Sequence, residues 1–131
     1  MGESILIVED EETLRKNLAT FLAREGHSTA SAASGIEAMD HLARHSFDIV
    51  VTDIQLGDLD GLDLLKKIKQ HDSDILVVLM TAYSTIDTAV EAIKQGAYHY
   101  ANKPFNLDEM MLLVETALET TRLRREVRAL R

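Results

Sequence analysis

At 131 residues the chain is one domain by length, large enough to bury about two-thirds of the surface its unfolded form exposes. Its composition, 46% apolar and 27% charged with one proline and no cysteine, is that of a folded soluble domain without a disulfide framework or thiolate metal sites, which suits a reducing, cytoplasmic setting. A net charge of −8 argues against a chain that grips nucleic acid by itself, and no apolar run approaches the ~20 residues that span a bilayer. Met1-Gly2-Glu3-Ser4 runs directly into a strand, so no secretory leader is expected. Gly2 is followed by Leu6 where a myristoylation motif needs Ser or Thr.

Ser4 to Val8 is an apolar, partly β-branched run and reads as the first strand, stopping at Glu9-Asp10-Glu11-Glu12. Leu14, Leu18, Phe21 and Leu22 then recur at helical spacing until Gly26, with acidic residues at the positive end of that helix. His27 to Ala32, of small and hydroxyl residues, is a weak second strand suited to an edge. Ser34-Gly35-Ile36-Glu37 matches a capping box and opens a second helix that turns Ala38, Met39, Leu42 and Ala43 inward. Ile49 to Thr52 is short, β-branched and uncharged, the pattern of a buried strand, and it ends on Asp53. Gln55 to Gly61 reads as a loop into a third helix with Leu64, Leu65 and Ile68 as its buried stripe. Ile75 to Met80 is a fourth strand, apolar on both faces, ending at Thr81. Ser84-Thr85-Ile86-Asp87 is a second capping box, opening a helix with Ile86, Ala89, Val90 and Ile93 on its inner side and Gly96 as its stop. Ala97 to Ala101 is a short fifth strand, followed by Asn102-Lys103-Pro104-Phe105 and a last helix starting near Asn106 or Leu107.

Strand and helix thus alternate five times with short connections, which calls for an α/β fold with a parallel sheet covered on both faces by right-handed crossovers. In such a sheet every strand ends on the same edge, and ligands bind outside those ends. That edge carries Glu9-Asp10, the small residues Ala32 to Ser34, Asp53, Thr81 and Lys103. Three clustered carboxylates repel one another and need compensation. Hard oxygen ligands with no His or Cys nearby favour Mg²⁺ over zinc. A cation, an ammonium and a hydroxyl around one free carboxylate suit a phosphoryl group, with the carboxylate as nucleophile. Taken singly, Asp53 would be a turn residue or helix cap, Thr81 a capping hydroxyl, Lys103 a solvated lysine and Tyr100 core packing; the conjunction at successive strand ends is what carries the chemistry. Glu11 and Glu12 read as an acid-enriched helix start. The His residues have no metal-ligand spacing, and the pair His41 and His45 reads as surface; Met110 and Met111 read as core filler.

These motifs resemble the receiver domain of two-component response regulators, over essentially the whole chain. The resemblance implies a flavodoxin-like, doubly wound fold of five strands in the order 2-1-3-4-5. It implies Asp53 as phosphoacceptor, with Asp10 binding Mg²⁺ directly, Glu9 through water and Gln55 through its backbone carbonyl. Thr81 would be the switch hydroxyl, Tyr100 the switch aromatic and Lys103 the charge-neutralising lysine, followed by a usually cis bond to Pro104. Gln55 and Tyr83 would modulate self-dephosphorylation. Thr81-Ala82-Tyr83, Gly96-Ala97-Tyr98 and Lys103-Pro104-Phe105 look most like receivers of the nitrogen-regulation type, which control transcription through an ATPase. The resemblance thus implies a histidine kinase as phosphodonor, and attached ATPase and DNA-binding output domains. Two positions depart from the pattern. Glu9 replaces the commoner Asp and lengthens one ligand arm, and Gly57 stands where many relatives have Pro, implying a freer acceptor loop.

Residues 1–120 suffice for the receiver, and 121–131 extend the last helix. Leu123, Val127 and Leu130, continuing a stripe through Thr120, Thr116 and Leu113, have coiled-coil spacing, and Arg122 with Glu126 makes an i, i+4 pair. The expectation is a homodimer through this extension, through the face formed by helix four, strand five and helix five, or through both. The chain stops mid-helix, so a longer parent with a following output domain is expected. The rival enzyme class is a phosphatase with an aspartyl nucleophile of the haloacid-dehalogenase type. Such enzymes need a second Asp two residues on, where this chain has Gln55. A third reading is a receiver-like docking module that takes no phosphate.

Overall fold

The structure is a computed structural model that describes residues 3–82 and 86–130. Five strands, β1 (Ser4–Val8), β2 (Ser28–Ala32), β3 (Ile49–Asp53), β4 (Leu76–Thr81) and β5 (His99–Asn102), alternate with α1 (Glu12–Arg24), α2 (Gly35–Arg44), α3 (Gly61–His71), α4 (Ile86–Lys94) and α5 (Leu107–Ala129). All pairings are parallel and the order is β2-β1-β3-β4-β5. This is the doubly wound sheet expected, with the weak, hydroxyl-rich β2 at one edge.

Alternation along the strands splits the core in two. Leu6, Val8, Val50, Val77 and Leu79 face α2, α3 and α4, while Ile5, Ile7, Ile49, Val51, Val78 and Met80 face α1 and α5. The central strands β1, β3 and β4 are covered on both sides, which is why they read as unbroken apolar runs. Among the described residues no helix is long and apolar enough to cross a membrane.

Local signals hold at most element ends. Gly26 and Gly96 terminate α1 and α4 with φ of +91° and +105°, a backbone region that favours glycine. Ser34 caps α2 by accepting from the Glu37 amide at 3.2 Å, but the Glu37 carboxylate reaches one residue further back than a capping box requires, to the Ala33 amide at 2.6 Å. Ser84 lies outside the described residues. His41 is half-buried, its ring edge-on to Phe47, rather than a free surface residue. Met110 is buried as expected and Met111 half-buried.

Three expectations fail. On α4, Val90 and Ile93 are 46% and 49% exposed while Ala92 is buried. Apolar residues occupy more than one side of this short helix, so periodicity alone did not choose the inner one; among the described side chains of α4 the small Ala92 is the one buried against the sheet, and those of Ile86 and Ala89 lie outside the described residues. Ala43 on α2 is exposed, one position beyond the buried Leu42. Arg122 does not pair with Glu126; it forms a bidentate pair with Glu3, which tertiary structure places nearer the planar guanidinium.

Candidate functional site: the C-terminal edge of the sheet

β1, β3 and β4 deliver their last residues side by side, and the loop after β5 adds Lys103. Glu9 is fully buried, Asp53 is 7% exposed and Asp10 is open to solvent. Carboxylate oxygens of these three residues lie within 4.8 Å of one another. The Lys103 ammonium donates to Asp53 Oδ2 at 2.7 Å and to Glu9 Oε1. The other Asp53 oxygen, Oδ1, accepts from the Gln55 amide at 2.9 Å. The Lys103–Pro104 peptide is cis.

The electrostatics show a site short of positive charge. Burial pushes the Glu9 carboxyl up to about 7, with Asp10 and Asp53 adding to the rise and Lys103 opposing it. Burial would lower the Lys103 ammonium, yet its bonds to Asp53 and Glu9 outweigh that and raise it. Lys103 is ion-paired with two of the three carboxylates, and Asp10 has no ion pair among the described residues. An all-oxygen donor set with surplus negative charge fits a hard divalent cation such as Mg²⁺.

Thr81 is buried at the end of β4, beside β5, and its carbonyl accepts from the Lys103 amide at 2.7 Å. Tyr100 is half-buried against the α2–α3–α4 side of the core, stacked at a tilt against His99 with ring centres 5.6 Å apart. Strand alternation puts Thr81 and Tyr100 on this same face. Tyr83 lies outside the described residues. Leu123, Val127 and Leu130 are more than half exposed and far along α5 from the site.

The loop after Asp53 is tied at several points. Gln55 bridges Asp60, Asp60 caps α3, and the Gly61 amide donates to the Ile54 carbonyl at 2.8 Å. A Cβ on Gly61 would sit 2.4 Å from Ile54 Cα and 2.7 Å from the Asp53 carbonyl oxygen, so only glycine fits beneath Asp53. Asp58, which sequence reasoning missed, spans the gap to α2 and accepts from the Gly35 and Ile36 amides at 3.0 Å each. Those bonds hold its carboxyl below the usual range. The partners lie 23 and 22 residues away, so no local pattern marks it. Gly57, in the same loop, has no positive φ and an open space where a side chain would go.

Fold and acidic rim together define a receiver-type domain. The chain belongs to the response regulator receiver domain family, whose pattern it matches over residues 5–115. It is 42% identical over 133 residues to the nitrogen assimilation regulatory protein NtrX of Azorhizobium caulinodans, spanning 100% of this chain and 29% of that protein. It is 41% identical over 126 residues to the regulatory protein AtoC of Escherichia coli, covering 96% of this chain and 27% of that one. A crystal structure of NtrX from Brucella abortus superposes with a TM-score of 0.92 at 41% identity, covering 100% of this chain and 30% of that one. The chain is therefore a receiver domain of the type found in NtrX- and AtoC-like regulators, and it spans less than a third of their length.

Proposed function

We propose that this receiver takes a phosphoryl group from a histidine kinase onto Asp53 and thereby switches an attached transcription-activating output. The observation that carries the reading is the rim itself: Asp53 with one oxygen on Lys103 Nζ at 2.7 Å, inside a carboxylate cluster spanning 4.8 Å. Glu9, Asp10, Asp53 and the Gln55 carbonyl are the groups that would hold Mg²⁺. Bound there, the cation supplies the positive charge that a dianionic phosphoryl group needs at this acidic rim.

Asp53 is the nucleophile: one carboxylate oxygen bonds to phosphorus as the nitrogen–phosphorus bond of the phosphohistidine breaks. Lys103 holds the carboxylate in place and neutralises charge on the transferred group. The Thr81 hydroxyl then hydrogen-bonds the phosphate, and Tyr100, on the same sheet face, follows it inward. Contacts made only in the phosphorylated state bias a two-state equilibrium over the α4–β5–α5 surface. Val90, Ile93 and Leu112, exposed on α4 and α5, make that surface apolar enough to meet a second copy. Gln55 and Tyr83 modulate slow self-hydrolysis. The chain is a switch rather than a turnover enzyme: Gln55 stands where a phosphatase of the aspartyl type needs its acid. Residues 121–131 lead toward ATPase and DNA-binding domains of a cytoplasmic parent.

A small-molecule phosphodonor, with and without Mg²⁺, followed by intact mass and peptide mapping, tests the reading. A single Mg²⁺-dependent adduct on Asp53, absent in Asp53→Asn, is expected. No adduct in the folded chain would overturn it in favour of a docking module.

A further inference from the structure

The opposite edge of the sheet carries a second set of acids, and the α5 tail lies against it. Arg122 donates Nε and Nη2 to Glu3 Oε1 and Oε2 at 2.7 and 3.0 Å, Arg125 pairs with Asp48, and Arg128 Nη2 lies 2.5 Å from Asp74 Oδ2. Glu3 immediately precedes β1, Asp48 immediately precedes β3, and Asp74 stands just before β4; these strands are neighbours in the sheet. Arginines at every third position advance about 4.5 Å along a helix, and neighbouring strands are about 4.7–4.9 Å apart. Successive arginines therefore meet successive strands in step. Asp48 is itself held, its second oxygen accepting from the Ser4 amide at 2.9 Å.

We propose that this N-terminal edge is a docking site for the chain's own α5 tail, and that the arginine ladder sets the direction in which the helix leaves the receiver. The inference is independent of phosphate on Asp53; only its consequence for a second copy rests on the homodimer reading. Single exposed ion pairs stabilise little, but a network with a bidentate member is the case in which they add up. No apolar contact competes for the role: Leu123, Val127 and Leu130 are 55%, 52% and 88% exposed. At about 100° per residue their mean direction is turned well away from that of the ladder, with Leu123 and Val127 bordering the recess that Asp74 and Arg128 line. Docking the arginines thus leaves the apolar seam exposed beside the receiver edge.

The occupant that fits this exposed seam is the same helix of a second copy, in parallel. With Val127 at an a position and Leu123 and Leu130 at d, Glu119 and Glu126 fall at g and Arg124 at e. None of these three charges enters an ion pair among the described residues. Glu119 of one copy then faces Arg124 of the other across a parallel seam. The ladder and the seam use different arginines of one short stretch.

Hydrogen exchange of the 131-residue chain at low concentration reads the clasp. Amides of 122–129 are expected to be protected, and Arg125→Glu with Arg128→Glu to exchange roughly tenfold faster there, with 107–118 unchanged. Arg128→Asp and Asp74→Arg each lose protection and together regain it. Leu123→Asp with Val127→Asp, which spoils the seam, keeps the tail protected, and Asp53→Asn behaves as the unmodified chain. An unprotected tail in the unmodified chain overturns the clasp. So does protection lost in the seam variant but kept in the arginine variant, since pairing of copies would then be what orders the tail.

Discussion

The two edges of this sheet each bring three carboxylates together from neighbouring strands, and they handle the charge in opposite ways. At the N-terminal edge every acid has its own arginine, and Glu3 and Asp74 are held below the usual carboxylate range, Glu3 by Arg122 and Asp74 by Arg128. At the C-terminal edge Glu9 and Asp53 share a single ammonium, Asp10 has no ion pair among the described residues, and buried Glu9 rises to about 7. Balanced acids hold structure together; unbalanced acids, kept short of cations by burial, mark a candidate ligand site.

The contrast is broken most sharply at Lys103. Lys103→Met removes the only cation ion-paired with Glu9 and Asp53 among the described residues, and labelling of Asp53 by a phosphodonor is expected to fall by about a hundredfold or more, read by intact mass against time. Gly61→Ala comes next: its methyl group collides with the backbone of Asp53 and Ile54, so a loss of about 3 kcal/mol in urea unfolding is expected, with slower labelling in the folded fraction.

Glu9 gives the contrast a pH signature. Its folded-state pKa, about 7, lies above the ordinary 4.5. Its contribution to stability is therefore complete below about 4.5 and lost as pH rises toward and through about 7. Without metal, the melting temperature should fall over that window relative to Glu9→Gln, in which the effect is absent. Added Mg²⁺ should restore more stability at pH 8 than at pH 5, because the cation competes with the proton for the same oxygens. Glu3 has the reverse sign: its stabilisation is present above the usual carboxylate range and lost as pH falls through its lowered value. The smallest effect is expected from Arg128→Ala, where both partners of the ion pair are half exposed or more. Its melting temperature should be indistinguishable from that of the unmodified chain, even as exchange at the end of the tail quickens.

The rim is legible in the sequence because a parallel sheet needs only its strand ends to be found. Ile5 to Val8, Ile49 to Thr52 and Leu76 to Met80 announce themselves as runs without charge, and whatever follows each of them must share one edge. Local pattern alone therefore places Glu9, Asp10, Asp53, Thr81 and Lys103 together. The inner side of α4 is not legible in this way, since Val90, Ala92 and Ile93 are all apolar and only packing on the sheet selects Ala92. The partners of Asp58 and of the tail arginines are hidden more deeply. Arg122 reads locally as a partner for Glu126, four residues away, yet it binds Glu3, 119 residues away. Hydrophobic periodicity is written residue by residue and fixes what is buried. Which charge meets which depends on where the chain returns to, and that only the folded sheet decides.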